Sequence, residues 1–227
     1  MFKTNLLKNK KYSLYLLFIL LGAFALRMVF LTSENLWYDE FCSINTALSL
    51  PYNRGVSFLK IAGPVPVFYF ILLKMWIAVF GYSALSVRLL SVLPGIATVI
   101  MVFFLGVKLF NNQTGVLAAF LLSIYPTHLF YSQEARHYML YLFFTLVVYY
   151  IFSQCLFDKK KHLFILGVSL LLLINTHFFG IFILLALIVS CFLAEKDKAR
   201  RIRWVKFTVF LALVFVIVAL IIYRDIF

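Results

Sequence analysis

Long apolar runs divided by short polar links set the pattern of this chain. They cover residues 13–32, 65–81, 86–109, 138–157, 162–177, 179–194 and 207–223. Most approach the roughly 20 apolar residues that a helix needs to cross a bilayer. A further run, 115–130, is broken by Pro126. Apolar residues follow one another without strict alternation, which predicts helices rather than the strands of a barrel. The expected fold is all-α: a polytopic transmembrane helix bundle of seven or eight segments. No repeat, low-complexity tract or soluble linker divides it, so 1–227 reads as a single membrane domain.

Composition agrees with this picture. The chain is 65% hydrophobic and 13% charged, against about 25% charged in a soluble domain. Residues 14–31, with Ala23-Phe24-Ala25, have features of a signal peptide. The run continues through Met28-Val29-Phe30-Leu31, which favours an uncleaved first membrane helix. Cys42, Cys155 and Cys191 are scattered and odd in number, so they predict apolar packing rather than a disulfide framework or metal cluster.

The polar links orient the runs. Thirteen of the 21 basic residues fall in three clusters: Lys3, Lys8, Lys10 and Lys11; Lys159 to Lys161; and Lys196, Lys198, Arg200, Arg201, Arg203 and Lys206. Each flanks an apolar run, the pattern of cytoplasmic loops. That placement assigns the net charge of +13 to topology and not to nucleic acid. With the N-terminus inside, the first run delivers "ENLWYDEFCS" (34–43) to the outer face. Counting back from Lys159 puts "YSQEARHYM" (131–139) on the same face, and counting forward puts His177 there. Three apolar runs lie between Asp39 and Glu134, an odd number, so one of them must not cross. The run 115–130 is the expected exception, because its clean part, Gly115 to Tyr125, is about half a bilayer long at 1.5 Å per residue. Residues 33–63 form a long first external loop containing an interfacial helix within 43–62. Residues 195–227 supply a basic cytoplasmic loop and a last membrane helix.

Acids are scarce, and their placement selects the candidate chemistry. Of eight, Asp158, Glu195 and Asp197 sit in basic loops and Asp225 lies near the C-terminus. Glu34, Asp39, Glu40 and Glu134 remain, all on the predicted outer face. Glu34 reads as a solvated loop carboxylate. Asp39 and Glu40 are adjacent, so on a helix they point about 100° apart; one can face a cavity while the other bonds the scaffold. A half-buried carboxylate there can act as a general base or hold a divalent cation, and it can equally be structural. Arg136 offers a planar fork of donors for phosphate. Glu134 can pair with Arg136 or accept hydrogen bonds from a sugar. The plainer reading of this segment is an interfacial Glu–Arg pair within a belt of Tyr131, Tyr138 and Tyr141. His177, in "NTHFFG", fits a satisfied interfacial residue as well as a ligand contact. Trp37 and Tyr38 can stack on a sugar ring or anchor the interface. Lys74 and Arg88 are expected to snorkel or to pair within the bundle.

Together these stretches resemble a known family. "LWYDEFCS" is similar to the first-loop Asp-Glu motif of GT-C glycosyltransferases, in their protein-mannosyltransferase-like (PMT_2) branch, which is related to the aminoarabinose transferases of lipid A. "PVPVFYFILLKMWIAVFGYSALSVRLLSVLPG" resembles that branch's second block, "YSQEARHYMLYLFF" its third and most specific, and "NTHFFGIFILL" its fourth. The four occur in order and cover about 10–195, which marks the glycosyltransferase-like core. One departure stands out: many members begin the second block with His-Pro-Pro-Leu-Tyr-Tyr, where this chain has Pro64-Val65-Pro66-Val67-Phe68-Tyr69. Members are usually longer, so the chain reads as a short or truncated one.

The resemblance implies transfer of a sugar from a polyprenyl-phosphate donor to a lipid, glycan or protein acceptor at the outer face of a bacterial-type cytoplasmic membrane. It implies Asp39 as base, with Glu40 orienting it or sharing a cation with it, and inversion at the anomeric carbon. Arg136, with His137, would stabilise the leaving phosphate, and Glu134, Tyr138, His177, Trp37 and Tyr38 would bind substrate. Two competing readings are a lipid or solute transporter, which predicts charges near the bilayer midplane on broken helices, and a catalytically incomplete membrane scaffold. Geometry discriminates: the transferase reading needs Asp39, Glu134 and Arg136 around one cavity.

Overall fold

Small polar residues and prolines set the helix boundaries of this chain. The computed structural model describes residues 10–49, 67–157, 162–194, 207, 209 and 210. Nine helices are described: α1 (Lys10–Met28), α2 (Tyr38–Leu48), α3 (Val67–Phe80), α4 (Ala84–Leu109), α5 (Asn112–Ile124), α6 (Pro126–Ser132), α7 (Tyr138–Phe157), α8 (Leu163–Thr176) and α9 (Gly180–Ala194). Ser83 caps α4 by accepting from the Ser86 N–H at 3.3 Å, and Asn111 caps α5 by accepting from the Thr114 N–H at 2.9 Å. Each thereby satisfies one of the donors a helix leaves open at its start. Gly81, at φ 76°, makes the left-handed turn between α3 and α4 that a side chain would strain. Pro126 ends α5 and starts α6, since proline is compatible with the first helical turn but not with the interior.

The all-helical membrane architecture is as expected, and the described residues do not confirm the count of seven or eight segments. Among the described residues, three helices are long and apolar enough to span: α1, α4 and the 138–155 part of α7. The bent pair α5–α6 would make a fourth, and α3, α8 and α9 are shorter apolar helices. The front of the predicted interfacial segment is present as α2. The rest of that segment, Lys159 to Lys161, the basic loop 195–206 and almost all of the predicted last helix lie outside the described residues.

The parity problem resolves differently from expectation. The pair α5–α6 bends by 63°, yet it retraces α4 rather than stopping half-way. Gly115 lies against Gly106, His128 against Thr98 and Ser132 against Gly95, and Ser91 Oγ donates to the Arg136 carbonyl at 3.2 Å. The partners run in opposite order along the two strands of the hairpin. It is α3 that fails to travel the length of the bundle. Its Trp76 Nε1 donates to the Ser86 carbonyl at 2.9 Å, and its Tyr69 packs on His137, so it stays beside the first turns of α4. The physical reason is that a proline restarts a helix as readily as it stops one, whereas α3 has only 14 residues, about 21 Å of rise.

Then α7 runs down beside α4, with Tyr150 near Phe104 and Lys108, and α8 returns to set His177 against His137. The first loop, residues 133–137 and His177 thus meet at one end of the bundle. Core clusters support that end and the far side: Ile44, Ala47, Tyr69, Leu73, Val87, Leu90 and Ala135 in one, and Val148, Leu166, Leu170, Leu173, Leu184 and Cys191 in another. Cys155 packs against the second cluster, as its apolar reading implies.

A tight helix contact is the Gly106–Gly115 crossing, where small residues let backbones approach. A Cβ on Gly115 would lie 2.8 Å from the Phe103 carbonyl oxygen and 2.5 Å from Val107 Cγ2. Gly115→Ala is therefore expected to cost about 1–3 kcal/mol by overpacking, seen as a lower Tm in lipid nanodiscs. Gly22→Ala, with nothing within 4 Å of its Cβ, should leave Tm unchanged or raise it. An unchanged Tm for Gly115→Ala would contradict the close approach.

Candidate active site

Two adjacent carboxylates at the start of α2 are sent in opposite directions. Glu40 is fully buried. Its Oε1 accepts from Arg88 Nε at 2.9 Å and from the Ala135 N–H at 2.8 Å. Its Oε2 accepts from Arg88 Nη2 at 2.8 Å and from the Trp37 N–H at 3.2 Å. The last bond reaches back from the third helical position and stabilises the start of α2. Arg88 turns its remaining donors to the Leu31, Glu34 and Asn35 carbonyls at 2.7, 3.0 and 3.2 Å. All five guanidinium N–H groups thus have partners. One ion pair fastens the first loop, α2, α4 and the 133–137 turn together.

Asp39 points the other way, and its side chain is 43% exposed. Its Oδ2 lies 3.4 Å from Arg136 Nη1, which also donates to the Asp39 carbonyl at 3.2 Å. Arg136 Nη2 donates to the Tyr138 hydroxyl at 3.3 Å, and the guanidinium lies over the Tyr138 ring at 5.5 Å. Arg136 Nε is buried with no partner among the described residues. This is a cation with donors to spare beside a half-open carboxylate.

His137 sits among the rings of Tyr69, Tyr138 and His177, at 5.9, 4.6 and 4.8 Å. Burial first, then the His177 and Arg136 charges, push its pKa down to about 3. It stays neutral near pH 7 and can offer an N–H but no positive charge. The His177 pKa is also lowered, by burial and then by Arg136. Its Nδ1 accepts from the Phe179 N–H at 3.1 Å, so the neutral ring carries its proton on Nε2. Trp37 and Tyr38 are exposed, at 48% and 76%, and available as platforms.

Glu134 does not pair with Arg136. It is only 7% exposed and lines a cavity of about 410 Å³ with Glu34, Glu40, Arg88 and Trp37. Among the described residues no hydrogen bond reaches its carboxyl. Asp39 does not line this cavity. Asp39, Glu134 and Arg136 therefore meet at one end of the bundle, with Glu134 in this cavity and the Asp39–Arg136 contact outside it. A cation shared by Asp39 and Glu40 does not fit either, because both Glu40 oxygens are already bonded and face inward. Among the described residues no group of three or more His, Cys, Asp or Glu side chains is placed to hold a metal ion.

Below the site lies a polar network that sequence reasoning missed. Arg27 is fully buried in α1. It donates to Ser132 Oγ at 3.2 Å, to the Ala23 and Ser123 carbonyls at 2.7 and 3.4 Å, and to His128 Nδ1 at 2.6 Å. Because arginine only donates, His128 Nδ1 must accept and Nε2 must carry the proton. That proton points at Thr98 Oγ1, 2.6 Å away, which in turn donates to the Gly95 carbonyl at 2.7 Å. Gln133 Nε2 donates to the Arg27 and Val29 carbonyls at 3.0 and 2.8 Å, tying the third block's turn to the end of α1. The available signal was a lone arginine inside an apolar run, which marks an intramembrane partner to be sought.

Asp39, Glu134 and Arg136 do not share the cavity, so comparison with known families, and not that geometry, carries the transferase assignment. The family described as dolichyl-phosphate-mannose-protein mannosyltransferase matches residues 64–223. The chain belongs to this family. Its members are membrane glycosyltransferases of the GT-C type. No curated protein and no solved structure matches the chain. The family match includes Arg88, Glu134 to Tyr138 and His177 but begins after "ENLWYDEFCS". That loop is tied to the matched part by the Glu40 bonds to Arg88 and Ala135.

Burial, and then the Glu40 charge, push the Glu134 pKa up to about 7, with Arg136 opposing. A raised carboxyl pKa means that the folded state holds a proton the unfolded state has lost. Glu134 therefore makes the protein less stable as pH rises from about 4.5 to about 7. Neutral His137 has the opposite slope, adding stability as pH rises from about 3 to about 6.5. The clean measurement is the difference in Tm between wild type and Glu134→Gln across pH 4–8. Wild type should lose stability relative to the variant between pH 4.5 and 7, with no further change above. A flat difference would contradict the burial of this carboxyl.

Proposed function

We propose that this protein transfers a sugar from a polyprenyl-phosphate donor to an acceptor hydroxyl, with Asp39 as general base. The observation that carries the reading is the divergence of Asp39 and Glu40. Glu40 is saturated and inward, so of the two adjacent carboxylates Asp39 is the one free to take a proton, and it lies 3.4 Å from the Arg136 guanidinium. Arg136 has the planar donor geometry that suits a phosphate oxygen. The long polyprenyl chain would lie against apolar helix faces at the same end, where Phe178, Phe179 and Phe182 are exposed.

In this mechanism the acceptor hydroxyl attacks the anomeric carbon as its proton passes to Asp39. The new C–O bond forms while the bond to the phosphate oxygen breaks, and polyprenyl phosphate leaves with the electron pair. Arg136 stabilises the growing negative charge, and neutral His137 contributes at most a hydrogen bond. A single displacement inverts the anomeric centre. Glu40 acts as a positioning residue that holds the first turn of α2 against Arg88. Tyr138, His177, Trp37 and Tyr38 supply ring surfaces for substrate. The active site faces the outer side of a bacterial-type cytoplasmic membrane, with the N-terminus inside.

One observation favours the transporter reading: Arg27 and His128 are buried polar groups on or beside a broken helix, where transporters place their sites. Every donor contact of Arg27 is nevertheless with protein, and the cavity beside Glu134 does not reach it. That network holds helices together and offers nothing to a passing solute.

The test is transfer from a panel of polyprenyl-phosphate sugars in membranes. Asp39→Asn should lower kcat by about a hundredfold or more, the scale of general-base catalysis, at normal expression. Arg136→Ala should raise KM for the donor more than for the acceptor. Wild-type turnover in Asp39→Asn would remove Asp39 from the mechanism, and unchanged donor KM in Arg136→Ala would remove the phosphate contact.

A further inference from the structure

Two buried polar atoms behind the Asp39–Arg136 contact have no hydrogen-bond partner among the described residues: the Tyr69 hydroxyl and Arg136 Nε. Both are closed off from solvent, so bulk water satisfies neither. A buried polar group left unpaired is costly, and a charged one more so. Nearly all such groups in folded proteins find a partner.

The two atoms are complementary. An arginine Nε–H only donates, whereas a tyrosine hydroxyl accepts one hydrogen bond and donates another. They also share surroundings. Tyr69 is 1% exposed and sits in the first turn of α3, its ring T-shaped to that of His137 at 5.9 Å. Its hydroxyl lies beside the Ser91 side chain and within the field of the Arg136 charge. Ser91 is as deeply buried, and its Oγ donates to the Arg136 carbonyl at 3.2 Å. That oxygen can still accept a hydrogen bond.

The outward contacts of Arg136 leave its plane loosely held. They measure 3.2 Å to the Asp39 carbonyl, 3.3 Å to the Tyr138 hydroxyl and 3.4 Å to Asp39 Oδ2. Well-formed hydrogen bonds between charged groups measure about 2.7–2.9 Å. We infer that Tyr69 is a positioning residue for Arg136, its hydroxyl accepting from Arg136 Nε and donating to Ser91 Oγ. A side-chain adjustment of Arg136 and Tyr69 closes this chain. Every donor then has an acceptor, from Nε through two hydroxyls to the carbonyl of the same arginine. The guanidinium is anchored from inside, and its Nη groups stay directed at the Asp39 side. The bond itself does not depend on transferase activity. Its value for holding a phosphate rests on the mechanism proposed above.

The experiment is proton-detected solid-state NMR on the full chain in lipid nanodiscs, with labelled arginine and tyrosine. The Arg136 Nε–H signal is assigned by its loss in Arg136→Lys. Wild type should show a through-space cross-peak from this proton to the Tyr69 Cζ. In Tyr69→Phe the Nε–H should exchange with solvent at least tenfold faster, the scale of one hydrogen bond to a charged group. The Nε–H signals of Arg27 and Arg88, bonded to Ser132 and Glu40, should not change, which separates a local loss from general loosening. Absence of the cross-peak in wild type would overturn the inference, as would equal exchange of the Arg136 Nε–H in wild type and Tyr69→Phe. In transfer assays Tyr69→Phe should raise the donor KM about tenfold and leave the acceptor KM unchanged, with no added effect in an Arg136→Ala background. The NMR result with an unchanged donor KM would support the bond and count against the phosphate role of Arg136.

Discussion

The buried Glu40–Arg88 pair is the interaction on which this end of the protein depends. Four hydrogen bonds converge on one carboxylate and five leave one guanidinium, and together they bind four separate parts of the chain. Such a pair gains little over apolar packing when complete, because both ions had to leave water. Removing one partner alone is costly, since the other charge then stays buried and unsatisfied. That asymmetry makes the pair a fixed point. It leaves Asp39 as the free member of the adjacent carboxylates, and both partners of the pair line the cavity beside Glu134.

A second constraint acts one layer down. Arg27, His128, Thr98 and Ser132 hold the broken pair α5–α6 against α1 and α4. The bend at Pro126 frees backbone groups that an apolar medium cannot solvate. Ser132 shows how they are managed: its hydroxyl donates to the His128 carbonyl at 2.6 Å and accepts from Arg27. Gly95 belongs to the same arrangement, since a Cβ there would lie 2.5 Å from Ser132 Oγ. The turn carrying Glu134 and Arg136 thus rests on a buried polar floor, which fixes its height relative to α2. Reacting groups need such fixed support if they are to meet a substrate at useful distances.

Much of this was legible in the sequence. Apolar runs identified the helices, and four ordered blocks identified the family. Counting crossings from basic clusters brought residues 34–43, 131–139 and His177 to one face, and the fold brings them to one end. What was not legible were the contacts between residues far apart in the chain. Arg88 was expected to snorkel or to pair within the bundle, and it pairs, but nothing local marks Glu40, 48 residues earlier, as its partner. The divergence of Asp39 and Glu40 was legible from their adjacency on a helix, but not which of the two would bond the scaffold. Glu134 and Arg136 looked like a pair because closeness in sequence is visible and direction is not, although a tight turn sends them to different sides. The run 115–130 looked too short because Pro126 reads as a stop, whereas here it restarts a helix at an angle.

A double-mutant cycle on Glu40 and Arg88 tests the account most directly. Glu40→Gln, Arg88→Met and the double variant would be compared by unfolding free energy in nanodiscs. Each single variant is predicted to lose about 3–5 kcal/mol, and the double variant should recover a large part of that loss because no buried charge remains unpaired. Additive losses, or single variants as stable as wild type, would show that the pair is not the fixed point of the site.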